Sequence, residues 1–282
     1  GNAMLVSGLT DGLHSSSVRV IHGGVVGTPG LHDSVLGTKA DAGLMVTASH
    51  NPYTDSGVKF FDSNGRKSMP NLERRIADLA WKIAEEGNNP EPDPESCLPD
   101  RMVNAERGHR STLARRLDNM AETFGIDIEN SNWAEILGVG QLLLDSSGGA
   151  ATSWFAAGLN RRGIPTKEVS NEEKPLNEGC GAGEFSPTAS WTWDEMKVSD
   201  HVLLKSLTEL HASKPPVGSL LGAALDGDGD RCLLIEATEN GACVIDGDRM
   251  ADDIARAWDS IGIEKATMAF SIETDLSLTS AD

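Results

Sequence analysis

Apolar residues in this chain fall either in short continuous runs or in longer stretches at helical spacing. Gly43-Leu-Met-Val46 and Leu220-Leu-Gly-Ala-Ala-Leu225 are continuous runs too short for helices, and they read as buried strands. Gly57-Val-Lys-Phe-Phe61 alternates like a strand, with Asp62-Ser-Asn-Gly65 as the turn that follows it. Helical spacing runs from Pro70 to about Glu86 through Leu72, Ile76, Leu79, Ala80 and Ile83, with Gly87 as a stop. It returns over residues 110–124, where Leu113, Leu117, Met120 and Phe124 share one face. Near the start, Leu5–Leu13 reads as a helix and Ser17–Ile21 as a strand. The glycine-punctuated loop Gly23–Pro29 then leads into a second helix at 30–37. Farther on, strand Val139–Asp145, a Ser-Ser-Gly-Gly loop, helix 150–162 and strand 164–169 predict one βαβ module with a right-handed crossover. Trp191 and Trp193 begin a helical stretch. Cys232–Glu236 is a strand, and Glu239-Asn-Gly241 turns a hairpin into Ala242–Ile245. Asp246 caps a helix to about Ile261, and Thr267–Ile272 is a last strand. Interleaved strands and helices of this kind predict an α/β chain with mixed sheets flanked by helices.

Composition narrows the class. With 282 residues, 39 % of them hydrophobic, the chain suits two compact α/β domains, or one with fragments. No apolar run reaches the length of a membrane span. The net charge of −19 disfavours nucleic acid and anionic membranes as partners. The 4 cysteines have no CxxC spacing, which argues against a zinc site or a disulfide framework and for a reducing cytoplasm. The proline-stiffened stretch Asn88–Glu95 reads as a connector, and a domain boundary is expected just before the helix at 110–124. Oligomeric state is not legible.

Two loops carry candidate chemistry. Thr47-Ala-Ser-His-Asn-Pro52 leaves the first buried strand, and Pro52 forbids helical continuation, so the loop presents the Ser49 hydroxyl. Asp226-Gly-Asp-Gly-Asp-Arg231 lies between two strands, where Asp226, Asp228 and Asp230 can converge on one hard cation. A calcium EF-hand does not fit: Arg231 stands where that loop needs glycine, and Ala237 where it needs glutamate. Taken singly, the first loop also reads as a polar turn and the second as an acidic solvated one. Gly148-Gly149 either cradles a phosphate or simply permits a tight strand-to-helix turn. Cys180 reads as a buried small residue rather than a nucleophile, since no basic neighbour is evident. The second Asp246-Gly-Asp-Arg249 opens a helix and reads as structural.

Together the two loops resemble those of the α-D-phosphohexomutases, most closely the phosphoglucosamine mutases. The segment Gly23–Pro29 is similar to the family's GxVxTP segment, and Asn177–Ala182 to its NxxCGA segment. The resemblance implies consecutive phosphohexomutase-type domains at 1–108, 109–248 and 249–282, the first and last incomplete. It implies that Ser49 carries a phosphoryl group and, with Asp226, Asp228 and Asp230, holds Mg²⁺. By position, Lys59 matches the family's general acid/base candidate, His50 the histidine that holds the phosphoserine, and Arg231 an arginine used near substrate. The implied reaction interconverts glucosamine 6-phosphate and glucosamine 1-phosphate through a 1,6-bisphosphate, in the cytoplasm. A phosphomannomutase or phosphoglucomutase, or a non-catalytic metal-binding remnant, are the alternatives. Drawing a hexose or hexosamine phosphate towards a chain of charge −19 requires local cations: the metal, Lys59, His50 and Arg231. The family's sugar-choosing and distal-phosphate-clamping loops have no counterpart here, so little turnover is expected of this chain alone.

Overall fold

The computed structural model describes residues 2–49, 51, 54–87, 97–170, 175–211 and 213–263. These form two compact units that divide inside one helix, between Arg115 and Arg116, with Asp228–Asp230 grouped with the first unit. Among the described residues no helix is long and apolar enough to cross a membrane.

In the first unit the elements run α1 (Asn2–Ser15), β1 (Ile21–His22), α2 (Thr28–Thr38), β2 (Ala42–Thr47), β3 (Gly57–Asp62), α3 (Pro70–Glu85), β4 (Arg101–Met102) and α4 (Ala105–Phe124), which continues into the second. The first buried run becomes β2 and pairs antiparallel with β3, from Ala42 opposite Asp62 to Thr47 opposite Gly57. That register puts Lys59 opposite Met45 and leaves the serine loop as the connection between the strands. The expected turn after β3 forms because the Asp62 carboxylate accepts the N–H groups of Asn64 and Arg66 at 2.9 and 2.8 Å. α2 packs on β2 so closely that a Cβ on Gly43 would lie 2.6 Å from a Val35 methyl. The buried pair His109 Nδ1 and Asp33 Oδ2, 2.7 Å apart, ties α4 to α2.

Two expectations change here. The strand expected at 17–21 shrinks to Ile21–His22, because the Val20 N–H donates to the Asp100 carboxylate at 2.6 Å instead of to a strand partner. α4 begins at Ala105, well before residue 110, because the Asn104 side chain accepts the Arg107 N–H at 2.8 Å and caps it. α3 has the expected apolar stripe, but none of its residues is buried.

The second unit holds α5 (Trp133–Leu137), β5 (Leu142–Asp145), α6 (Phe155–Asn160), β6 (Thr166–Glu168), β7 (Ser190–Thr192), α7 (Trp193–Val198), α8 (Val202–Leu210), β8 (Leu220–Leu225), β9 (Cys232–Ala237), β10 (Gly241–Ile245) and α9 (Gly247–Ser260). Its six-stranded sheet has the order β6-β5-β8-β9-β10-β7. β5 is parallel to both neighbours, and β8, β9, β10 and β7 follow antiparallel. One face packs Leu143, Leu221, Ile235 and Ala242 against Met196, Leu203, Leu204 and Leu207 of α7 and α8. The other packs Leu144, Ala223 and Leu225 against Ala151 and Ala156. Apolar side chains on both faces explain why β5 and β8 are continuous apolar runs rather than alternating ones.

Several elements of this unit also differ from expectation. α6 spans only Phe155–Asn160, because the Ala150 N–H is bonded to the Gly227 carbonyl and residues 151–154 close as turns. Trp191 lies in β7, an edge strand pairing with β10, and only Trp193 opens a helix. α8, capped by the His201 side chain, is an addition to the elements expected from sequence. Asp246 caps α9 through the Arg249 N–H, as expected. The strand expected at 267–272 lies outside the described residues.

Leu207 is fully buried, whereas Leu79 of α3 is 58 % exposed. Leu207→Ala is therefore expected to cost about 2–5 kcal/mol in urea unfolding, while Leu79→Ala stays within about 0.5 kcal/mol.

Candidate active site

β2 ends at Thr47, and the chain turns at once. The Asn51 N–H donates to the Ala48 carbonyl at 3.0 Å, and the Ser49 N–H donates to Thr47 Oγ1 at 2.9 Å. Ser49 sits at φ 54°, a left-handed conformation that costs a non-glycine residue about 1 kcal/mol or more. The turn aims its hydroxyl at a buried carboxylate: Ser49 Oγ donates to Asp228 Oδ1 at 3.0 Å.

Asp228, only 3 % exposed, is the node of the site. Thr28 Oγ1 donates to its Oδ2 at 2.6 Å, and the Thr28 N–H donates to its carbonyl at 2.8 Å. A Cβ at Gly27 would lie 2.7 Å from that same carbonyl, so glycine is what lets the start of α2 approach. Lys59 Nζ donates to Asp228 Oδ2 at 2.6 Å and to Asp230 Oδ2 at 2.7 Å. Burial pulls the Lys59 ammonium towards neutrality, but its hydrogen bonds to the two carboxylates outweigh this and raise its pKa. For Asp228, burial works upwards, and the hydrogen bonds from Lys59, Thr28 and Ser49 overcome it and lower its pKa. Both residues are therefore held in their charged forms.

Another carboxylate of the loop, Asp226, is buried, and its Oδ1 accepts the Arg231 N–H at 3.1 Å. One oxygen from each of Asp226, Asp228 and Asp230 lies within 4.8 Å of the other two. Oxygens on opposite sides of a six-coordinate Mg²⁺ are about 4 Å apart, so modest side-chain rotation closes the set around one ion. The donors are all hard anionic oxygens, and the Lys59 ammonium already bridges two of them as a cation would. The residues present therefore fit a hard divalent cation.

Of the residues singled out from sequence, Ser49, Lys59, Asp228 and Asp230 come together directly. Arg231 contributes its main-chain N–H to the loop, and the residue itself is exposed. His50 lies outside the described residues. Sequence reasoning misses Thr28 as a site residue, and the signal that could have found it is the Thr28-Pro29 dipeptide of the glycine-punctuated motif before α2. Cys180 is buried, and burial pushes its thiol up to about 11, in keeping with an inert residue. Removing the node while leaving Lys59 behind is expected to be severe. Asp228→Ala should cost about 3–5 kcal/mol in urea unfolding, against about 1 kcal/mol or less for the more exposed Asp230→Ala.

The chain is similar to several known proteins. Residues 1–87 match the model of the phosphoglucomutase/phosphomannomutase alpha/beta/alpha domain I. A phosphoglucosamine mutase of Limosilactobacillus reuteri subsp. reuteri (strain JCM 1112) is 28 % identical over 282 residues, covering 99 % of this chain and 53 % of that protein. One of Corynebacterium aurimucosum is 28 % identical over 249 residues, covering 88 % and 46 %. A solved structure from Thermus thermophilus, assigned as a phosphomannomutase, aligns with a TM-score of 0.51 at 26 % identity, over 81 % of this chain and 44 % of that one. The chain thus spans about half the length of the curated relatives it matches. The first-domain model is thus matched over residues 1–87, and phosphoglucosamine mutases align along nearly the whole of this chain.

Proposed function

We propose that this chain carries the phosphoryl-transfer half-site of a phosphoglucosamine mutase, a cytoplasmic enzyme interconverting glucosamine 6-phosphate and glucosamine 1-phosphate. The observation that carries the reading is the 3.0 Å contact of Ser49 Oγ with Asp228, a carboxylate that also pairs with Lys59. A serine on a strained turn, joined to a carboxylate loop suited to a hard cation, is what a phosphoserine relay requires. The sugar assignment rests on the phosphoglucosamine mutases among the relatives and on the NxxCGA-like loop.

Asp226, Asp228 and Asp230 would hold Mg²⁺, with Ser49 as the fourth protein group once phosphorylated. When bound, that ion would neutralise charge on the phosphoryl oxygens. The chain's own residues divide the remaining work. Ser49 Oγ carries the phosphoryl group. When it passes to the free 1-hydroxyl of the sugar phosphate, the P–O bond to Ser49 breaks as the bond to the sugar oxygen forms. The net proton movement is from the sugar hydroxyl to Ser49 Oγ, and Lys59, which lies beside the same carboxylate, is the residue to relay it. The 1,6-bisphosphate then returns its 6-phosphoryl group to Ser49. His50 would support the phosphoserine, and Arg231, an exposed residue of the loop, would meet substrate.

Two measurements test this reading. Incubation with glucosamine 1,6-bisphosphate and Mg²⁺ should add one phosphoryl group, mapped to Ser49 by peptide mass, and none to Ser49→Ala or to the triple Asp226, Asp228, Asp230→Ala variant. A folded, cation-binding sample that stays unmodified would sink the phosphoserine role. Mg²⁺ at about a hundred times its Kd should stabilise the wild type by about 2.7 kcal/mol in thermal unfolding. The triple variant should show no such gain, and an equal gain in both would remove the aspartate loop as the site.

A further inference from the structure

Both peptide groups flanking Asp226 are held by one segment of the second unit, the loop that leaves β5. Ser147 Oγ donates to the Leu225 carbonyl at 2.6 Å, and the Ala150 N–H donates to the Gly227 carbonyl at 3.0 Å. Ser147 is fully buried and sits at φ 59°. Its conformation is imposed by Asp145, itself fully buried, whose Oδ1 accepts the Ser147 N–H at 2.9 Å. The other oxygen of Asp145 accepts the Gly181 N–H at 2.7 Å and so pins the Asn177–Ala182 loop to the same point.

Glycines make this junction possible. A Cβ on Gly181 would lie 1.7 Å from Ser147 Oγ and 2.9 Å from the Leu225 carbonyl oxygen. A Cβ on Gly149 would lie 2.2 Å from the Gly227 carbonyl oxygen. That last distance decides between the two readings of Gly148-Gly149. The space beside Gly149 is filled by the backbone of the aspartate loop, which leaves no cradle there for a phosphate.

We propose that this segment is a clamp for the aspartate loop and that Ser147, oriented by Asp145, is a positioning residue for divalent-cation binding. The inference rests on the reading of Asp226, Asp228 and Asp230 as a cation site. With the carbonyls on either side of Asp226 anchored and its Oδ1 fixed by the Arg231 N–H, its carboxylate is presented in one orientation. The loop then meets the cation without first losing backbone freedom, and groups outside the ligand set tune affinity in just this way.

The test uses Mn²⁺ as probe, with free ion followed by electron paramagnetic resonance on the full chain stripped of metal. Ser147→Ala deletes the hydroxyl. Ser147→Gly deletes it too and suits the left-handed conformation, so it keeps the backbone in place should the alanine variant fold poorly. Both are expected to bind Mn²⁺ about tenfold more weakly than wild type. Ser219→Ala removes a comparable buried hydroxyl, bonded to the Gly138 carbonyl at 3.3 Å just before the far end of β8, and should leave Mn²⁺ affinity unchanged. Unchanged affinity in both Ser147 variants, or equal weakening in Ser219→Ala, overturns the clamp and leaves the cation site standing. Asp228→Asn separates the two ideas. If it binds Mn²⁺ as well as wild type does, or if wild type does not bind at all, the cation reading falls and the clamp falls with it.

Discussion

A single buried carboxylate, Asp228, organises the candidate site. Withdrawing a charge from water is costly unless donors and a counter-charge replace the lost hydration. Here Thr28, Ser49 and Lys59 supply both. Each then inherits a constraint from serving that charge. Thr28 must start its helix against the loop backbone, which explains Gly27. Ser49 must accept a left-handed turn, and Lys59 must lie on the inward side of β3. Thr28 is 200 positions and Ser49 179 positions away from Asp228 in sequence. The carboxylate is thus the point at which distant parts of the chain become one chemical object.

The same electrostatics bears on the anionic substrate proposed for so acidic a chain. A net charge of −19 repels phosphate at long range, but salt screens it over about 8–10 Å. At contact distance the local arrangement governs. Lys59 is held as an ammonium by two carboxylates, and the three aspartates present hard oxygens within 4.8 Å of one another. Acidity in the aspartate loop thus holds the Lys59 ammonium at the carboxylate that Ser49 contacts.

Much of the fold is legible in sequence because backbone hydrogen bonding and burial leave a periodic mark. β8 has the bounds its apolar run predicts, and β2, β3 and the β9–β10 hairpin nearly so, since buried strands bounded by turn residues have few alternatives. Expectation fails where side chains far away in sequence take over a backbone group. Asp100 captures the Val20 N–H and shortens β1, and the Gly227 carbonyl captures the Ala150 N–H and delays α6. Trp191 enters a strand because β10 offers it a partner. None of these competitors lies in the local window that periodicity examines. For α3 the pattern is right, yet none of its residues is buried, because spacing specifies a face and not what covers it.

Residue types and their spacing settle the chemistry available: a serine on a proline-braced strand exit, three alternating aspartates, a lysine on the next strand, and an α/β alternation to carry them. Local sterics and charge make those properties readable without coordinates. It takes the folded chain to make Asp228, rather than its neighbours, the buried node, and to bring Thr28 into the site. It takes the folded chain, too, for Gly149 to make room for a backbone instead of a phosphate. Those outcomes depend on which groups lose water together, and desolvation is set by packing across the whole fold rather than by any stretch of chain.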